Sequence, residues 1–365
     1  MRLSVRIKHK VRDEYGRHKE NDLSNVSSKH NAGVCTVIVT YDTWEISMKE
    51  IEAQAAKGVE SGAKSATTLY RIIAFLHHEN IPEELFKFAA ENYKKRNIDA
   101  ELRLGLPLSV TMLDEDPNVL FLDRKGEWDI SRFKQGIQVL LSFSLLKKSG
   151  KMYSVHPLVN SWNRSRIQDK EINRQISMTR AMLACSVELN YHSVDNYKYC
   201  GLLAPHIRAN HDHAVQLSSR TVYYYDECVR FALVFDHIGS WNEVEKLEVQ
   251  VMEARKERFG SQHPDTLRSM ANLAATYQSQ GRWDEAEKLK VQVMEASKET
   301  LGSHHPDTLR TMANLAITYQ SQGRLDEADV LLAQAIMLME ETMGSQHPTT
   351  IHFRNVRLNL LETST

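Results

Sequence analysis

Gly58-Val59-Glu60-Ser61-Gly62-Ala63-Lys64-Ser65 has the composition of a phosphate-binding loop. Such a loop works because four residues separate its glycines and Gly stands directly before Lys, so that backbone N–H groups wrap the phosphates. Here three residues separate the glycines, Ala63 precedes Lys64, and the segment follows a helical, not a strand-like, pattern. The spacing argues against phosphate binding. His77-His78, His211-Asp212-His213 and His304-His305 are metal-ligand types. Adjacent residues on a helix point in different directions, however, and such doublets chelate poorly without partners from elsewhere. No metal site is expected. Cys35, Cys185, Cys200 and Cys228 contain no C-x-x-C pair and suggest neither a disulfide framework nor a zinc knuckle. They read as free thiols in a reducing compartment. Tyr223-Tyr224-Tyr225 reads as helix packing rather than a platform for bases. No Ser/His/Asp or Cys/His arrangement stands out, so the expectation is a protein that is not an enzyme.

The elements that carry these residues come from a chain of 365 residues, long enough for two or three domains. Hydrophobic content of 42% and charged content of 25% are ordinary for a globular protein. A formal net charge of -1 argues against a general nucleic-acid binder, which shows a basic excess. No run of about 18 apolar residues is present to span a membrane. Met1 to Arg12 is basic but lacks the apolar stretch of a secretory signal. A cytoplasmic or nuclear location is the expectation.

The C-terminal third is repetitive. Residues 260–281 (GSQHPDTLRSMANLAATYQSQG) and 302–323 (GSHHPDTLRTMANLAITYQSQG) agree at 19 of 22 positions with an offset of 42. Residues 241–260 and 283–302 agree at 14 of 20 with the same offset. Each unit reads as two helices. Pro264 fits the first turn of helix A, where its missing N–H costs nothing, and Asp265 lies near the positive end of the dipole. Leu267, Met270, Leu273, Ala274 and Tyr277 follow helical spacing and form the expected buried stripe. Gly281 supplies a left-handed residue after helix A. Asp284 is the expected cap of helix B, whose buried face reads Ala286, Leu289, Val293 and Ala296. Phe231, Ala232, Phe235 and Gly239 stand 42 residues before Leu273, Ala274, Tyr277 and Gly281, so Tyr223 to His237 reads as a degenerate first helix A. Thr349 to Leu361 reads as a final capping helix, with Arg357 where the repeats carry Leu273 and Leu315.

Leu273, Ala274, Tyr277, Gly281 and Ala286, with Leu315, Ala316, Tyr319, Gly323 and Ala328 in the next copy, resemble the tetratricopeptide repeat. The H-P-D-T-L starts (His263 to Leu267, His305 to Leu309) are similar to the longer variant seen in kinesin light chains. The resemblance covers about residues 223–361 and implies an α-solenoid that binds protein or peptide.

Residues 69–167 differ. Thr68 to Leu76 reads as a helix, and Ile81-Pro82-Glu83-Glu84-Leu85-Phe86 opens a second with Pro in its first turn. Phe133 to Phe143 reads as a third. Two short runs flanking Ser149-Gly150 read as a tight hairpin, and His156-Pro157 starts another helix, Leu158 to Arg166. This order suggests a winged-helix domain. The T-W-E-I-S segment (Thr43 to Ser47), the A-F-L…I-P-E-E-L-F segment (Ala74 to Phe86), the H-P-L-V-N-S-W segment (His156 to Trp162) and Leu202 to Ile207 resemble the end of the nucleotide-binding region of fungal NLR-like proteins. These are signal-transducing NTPases of the STAND class with an NB-ARC module and C-terminal repeats of the kinesin-light-chain type. The resemblance implies that the chain is the C-terminal part of a longer receptor, or one that lost its ATPase core. ADP or ATP would enter only if a nucleotide-binding core were supplied, and this chain provides no cofactor site of its own.

The expected fold is mostly α, a winged-helix-like domain followed by a tetratricopeptide α-solenoid of antiparallel helix pairs. Residues 1–40 are unassigned, 41–167 hold the end of the NB-ARC region, 168–222 form a helical connector and 223–361 the repeats. By the family resemblance, His156 occupies a position that touches ADP; read alone, it is a histidine that caps the helix begun by Pro157. Asn272 and Asn314 recur in helix A on the face that lines the groove of such repeats, where asparagine hydrogen-bonds a peptide backbone. Arg268 and Arg310, one turn earlier, are placed to meet acidic cargo. The plainer reading of all four is a solvated polar face. The leading functional reading is a non-catalytic scaffold that binds a protein or peptide and is able to form homo-oligomers. The competing readings are an ADP/ATP-binding signalling switch, a DNA-binding regulator and a kinesin-light-chain-like cargo adaptor. Only Arg132 and Lys134 are basic in the candidate recognition helix Ser131 to Phe143, which is thin for DNA. No heptad coiled coil is present for pairing with a motor chain.

Overall fold

The computed structural model describes residues 30–57, 61–98, 113–187, 194–217 and 225–363. The chain divides into two compact units between Val222 and Tyr223.

The first unit begins with α1 (His30–Ala56), α2 (Ser61–Ile73), β1 (Ile81–Pro82) and α3 (Glu83–Ile98). After the short helical turn Pro117–Leu120 come α4 (Ile130–Ser142), β2 (Lys147–Ser149), β3 (Met152–Ser154) and α5 (Pro157–Arg166). Helices α6 (Asp169–Ser186) and α7 (Val194–Leu217) complete it. The three strands form one antiparallel sheet in the order β1-β3-β2. Ile81 and Pro82 are therefore strand, paired with Tyr153 and Met152, and not the first turn of a helix; α3 starts at Glu83. Pro82 is tolerated there because β1 is an edge, where a missing N–H breaks no ladder bond. The hairpin turns through Gly150 and Lys151, one residue later than the sequence suggested, since Ser149 still pairs with Met152. Gly150 takes φ +59° at that turn.

Helices α2 and α4 cross closely. A Cβ on Gly136 would lie 2.8 Å from the Ser65 Cβ, so only glycine permits the approach. Phe133 stands at the centre of the core, with ring centroids 5.0 Å from Phe86, 5.6 Å from Phe121 and 5.1 Å from Trp128. The H-P-L-V-N-S-W segment and the two residues after it hold the end of α2. Asn163 Nδ2 donates to the Tyr70 carbonyl at 2.6 Å, Arg164 to Ala74 at 2.9 Å and Asn160 to Leu76 at 3.5 Å. Ala74 and Leu76 lie just past the last residue of α2, and the Tyr70 carbonyl also accepts the Ala74 N–H at 3.2 Å, so these side chains reinforce the end of the helix. Ser61 to Ser65 lie in α2, and Ser65 is buried against Gly136. These residues do not fit a phosphate cradle; Gly58 to Glu60 lie outside the described residues. Ile176 of α6 and Ala214 of α7 pack with Ala74 and Phe75 in one cluster.

The second unit is a stack of antiparallel helix pairs. It comprises α8 (Tyr225–His237), α9 (Trp241–Phe259), α10 (Pro264–Ser279), α11 (Trp283–Leu301), α12 (Pro306–Ser321), α13 (Leu325–Met343) and α14 (Pro348–Thr363). Tyr223 and Tyr224 lie outside the described residues. Gly281 and Gly323 adopt φ +76° and +79° after α10 and α12, as left-handed helix stops require.

Two local readings need correction. Asp284 is not the cap of α11: Arg282 holds that position without a side-chain cap bond, and Asp284 sits in the first turn, where the dipole favours it. The buried face of α11 runs Ala286, Lys290, Val293 and Ser297, with Leu289 and Ala296 half-buried beside it. Met270 and Tyr277 of α10 are likewise half-buried. Tyr277 and Tyr319 lie under the guanidinium groups of Arg282 and Arg324, each 4.1 Å from the ring centroid. Those arginines bond Glu245 at 2.8 Å and Glu287 at 2.9 Å in the preceding pair. At the last step Arg357 of α14 bonds Asp329 at 2.6 Å, the residue 42 after Glu287.

Candidate functional site

Successive A helices of the second unit leave a cavity at the first two steps, each floored by the B helix between them. The first encloses about 220 Å³ between α8 and α10 over α9. The second encloses about 190 Å³ between α10 and α12 over α11. Asn272 lines the first and Asn314 the second. Both are exposed, and neither side-chain amide makes a hydrogen bond among the described residues. The structure thus puts the two asparagines at equivalent places on consecutive steps. It does not bring the arginines in with them. Arg268 and Arg310 lie one turn away, outside both linings, and pair with their own helix-start acids, Asp265 at 3.4 Å and Asp307 at 2.8 Å.

The floors carry charge that the sequence reading missed. Glu248 of α9 and Lys290 of α11 are 42 residues apart and occupy the same place in the repeat, on the side that meets the next A helix. Thr276 of α10 donates its hydroxyl to Glu248 Oε2 at 2.5 Å. Burial, opposed by that hydrogen bond and reinforced by the Asp236 carboxylate, pushes the Glu248 carboxyl up to about 7. Lys290 Nζ donates to Gln278 Oε1 and Thr318 Oγ1, both at 2.7 Å, and to the Asn314 carbonyl at 3.2 Å. Burial pulls its ammonium down to about 8. At the third step the same place holds Leu332, fully buried. Two turns further along the B helices the series is Arg255, Ser297, Met339. Arg255 donates to Ser269 Oγ at 2.8 Å, whereas Met339 packs with Leu332 and Phe353 in an apolar cluster. Aligning the B helices in their 42-residue register would have exposed both series, because each ends in a large apolar residue, Leu332 or Met339, at a place that is charged in the first repeat.

His156 lies in the first unit. It is exposed and caps α5, its Nδ1 accepting the Leu158 N–H at 3.3 Å. His263, His305 and His347 do the same for Asp265, Asp307 and Thr349, each before a proline. The H-P pair is a helix-starting device used four times: the imidazole satisfies one orphan N–H and the proline removes another.

Residues 230–296 and 270–341 match the tetratricopeptide repeat. The stack is a run of tetratricopeptide repeats. Among solved structures, a variant form of a Podosopora anserina putative kinesin light chain with nearly identical TPR-like repeats is 24% identical, over 53% of this chain and 88% of that one, with a TM-score of 0.40. A second Podosopora anserina structure, of the putative kinesin light chain nearly identical TPR-like repeats, is 25% identical over 51% and 85%, with a TM-score of 0.39. BtubC (BKLC) from P. vanneervenii is 15% identical over 55% and 82%, with a TM-score of 0.38. No curated protein matches the chain. Among the described residues no helix of the protein is long and apolar enough to cross a membrane, and no group of three or more His, Cys, Asp or Glu is placed to hold a metal ion.

Proposed function

We propose that this protein is a non-catalytic interaction scaffold whose tetratricopeptide groove holds an extended segment of another protein along α8, α10 and α12. The observation that carries this is the pair Asn272 and Asn314. Each presents an unengaged amide beside a cavity of one step, and an amide both donates to and accepts from a peptide group. Arg268 and Arg310 flank the path from the helix starts, where an acidic partner would compete with Asp265 and Asp307 for them.

The first unit supports a finer reading. A three-stranded sheet in the order β1-β3-β2 in the same unit as α2, α3 and α4, followed by the α5 helix whose asparagines bond the end of α2, supports reading this unit as a winged helix. With repeats after it, this favours a cytoplasmic NLR-like receptor as the source of the chain, intact or degenerate. In that setting His156 would contact ADP held by a core outside these residues.

The groove reading is tested by screening the full-length chain against an array of extended dodecapeptides, beside the Asn272→Ala/Asn314→Ala double variant. Losing two amide contacts to peptide groups weakens binding by about 1 kcal/mol each, so roughly thirtyfold together. Peptides that bind both proteins equally would refute the groove as the site.

A further inference from the structure

We infer that the first step of the groove receives a basic side chain, lysine or arginine, from the bound polypeptide. The inference rests on the groove reading above and adds the partner's chemistry at one step. Two equivalent floor positions carry opposite charges, and only one is satisfied from within. Lys290 has three acceptors, one for each ammonium hydrogen, so the second step completes its own charge. Glu248 has one hydrogen bond, from Thr276. A carboxylate accepts several, and the charged neighbour that acts on it is Asp236, of the same sign.

The remaining charged and titratable groups around the first cavity do not repair this. From α8, Asp236 faces the cavity, and His237 acts on Asp236. From α9, Arg255 lines the same cavity, but its guanidinium donates to Ser269 Oγ at 2.8 Å and to the Asp265 carbonyl at 3.3 Å. From α10 come Ser269, Asn272, Thr276 and Ser279, all uncharged. The cavity therefore offers Glu248, whose acting charged neighbour is another acid, beside Asp236, which has His237 for its neighbour, in a space of about 220 Å³ that lies beside Asn272. An ammonium or guanidinium on a long stem fits both the depth and the sign. The fold does not demand an acid here, since Lys290 and Leu332 serve at the same place in the next two steps.

The test uses the full chain and dodecapeptides in which lysine is exchanged, position by position, for norleucine, which keeps the stem and removes the charge. One position is expected to show about tenfold tighter binding for lysine, as befits a single charge-assisted pair in a partly desolvated site. Glu248→Gln should abolish that preference. Asp236→Asn should reduce the preference in part, and Lys290→Met should leave it intact. In the wild type the preference should fade as pH drops from 8 to 6 and Glu248 takes up a proton, and Glu248→Gln should show no such fading. Peptides that depend on Asn272 and Asn314 yet show no lysine preference, or a preference that survives Glu248→Gln, would overturn this inference and leave the groove reading standing. Peptides indifferent to the asparagines as well would overturn both.

Discussion

Lys290 is only 8% exposed, and holding its charge inside the solenoid costs free energy that pH can release. Burial lowers its ammonium from 10.5 to about 8. Below pH 8 both the folded and unfolded chains carry the proton, and the folded state bears the full desolvation cost. That cost is about 3 kcal/mol, from a shift of roughly 2.5 at 1.36 kcal/mol each. Between pH 8 and 10.5 the unfolded chain still binds the proton while the folded chain has lost it, so stability rises with pH across this window. Above 10.5 neither state is charged here. The perturbation is Lys290→Met, which keeps the stem and deletes the charge. Urea unfolding followed by circular dichroism at pH 7.5, 9 and 10.5 gives the stability difference between wild type and variant, which cancels the titration of the tyrosines. The wild type should gain about 3 kcal/mol on the variant between pH 7.5 and 10.5. A difference that stays flat over that range would mean that water reaches the ammonium and that the second floor is not closed.

Two further substitutions probe the first unit. Gly136→Ala should destabilise it by about 1–3 kcal/mol, because the new methyl meets Ser65 Cβ at 2.8 Å in a crossing of two helices; a thermal melt within a degree of wild type would refute the tight crossing. His206 is fully buried, with Nε2 3.2 Å from the Asn80 carbonyl, and burial lowers it to about 4. The unfolded chain takes up this proton below about 6.5 and the folded chain resists until about 4, so stability is lost as pH drops across that interval, by about 3 kcal/mol. His206→Phe should flatten that slope in acid unfolding followed by tryptophan fluorescence.

Much of the second unit was legible because its signals are local. Pro264, Gly281 and the apolar spacing between them act through the backbone and through one helix face, and the observed helix runs from Pro264 to Ser279. The asparagines could be placed for the same reason: helical phase puts them on the face opposite the buried stripe. What escaped were decisions made between elements. Pro82 belongs to a strand only because Met152 comes to lie beside it. The charges at Glu248 and Lys290 read as solvated residues until the following A helix covers them with Thr276 and Thr318. Gly136 carries no periodic signal, and its role exists only where α2 crosses α4.

The change along the solenoid from Glu248 and Arg255, through Lys290 and Ser297, to Leu332 and Met339 implies an order of assembly. Stacked repeats hold together through nearest-neighbour contacts, so the free energy of each junction is set by what is buried in it. The junction of α13 and α14 buries Met339 against Phe353 in an apolar cluster, with its ion pairs, Arg357 to Asp329 and Arg354 to Glu340, partly exposed outside that cluster. The junction of α9 and α10 must desolvate a carboxyl and a guanidinium first. The chain should therefore nucleate at its C-terminal pair and zip toward α8. Amide protons should exchange slowest in α12 and α13 and fastest in α8. A partner that fills the first cavity would act on the last junction to close, and would tighten the solenoid where it is softest.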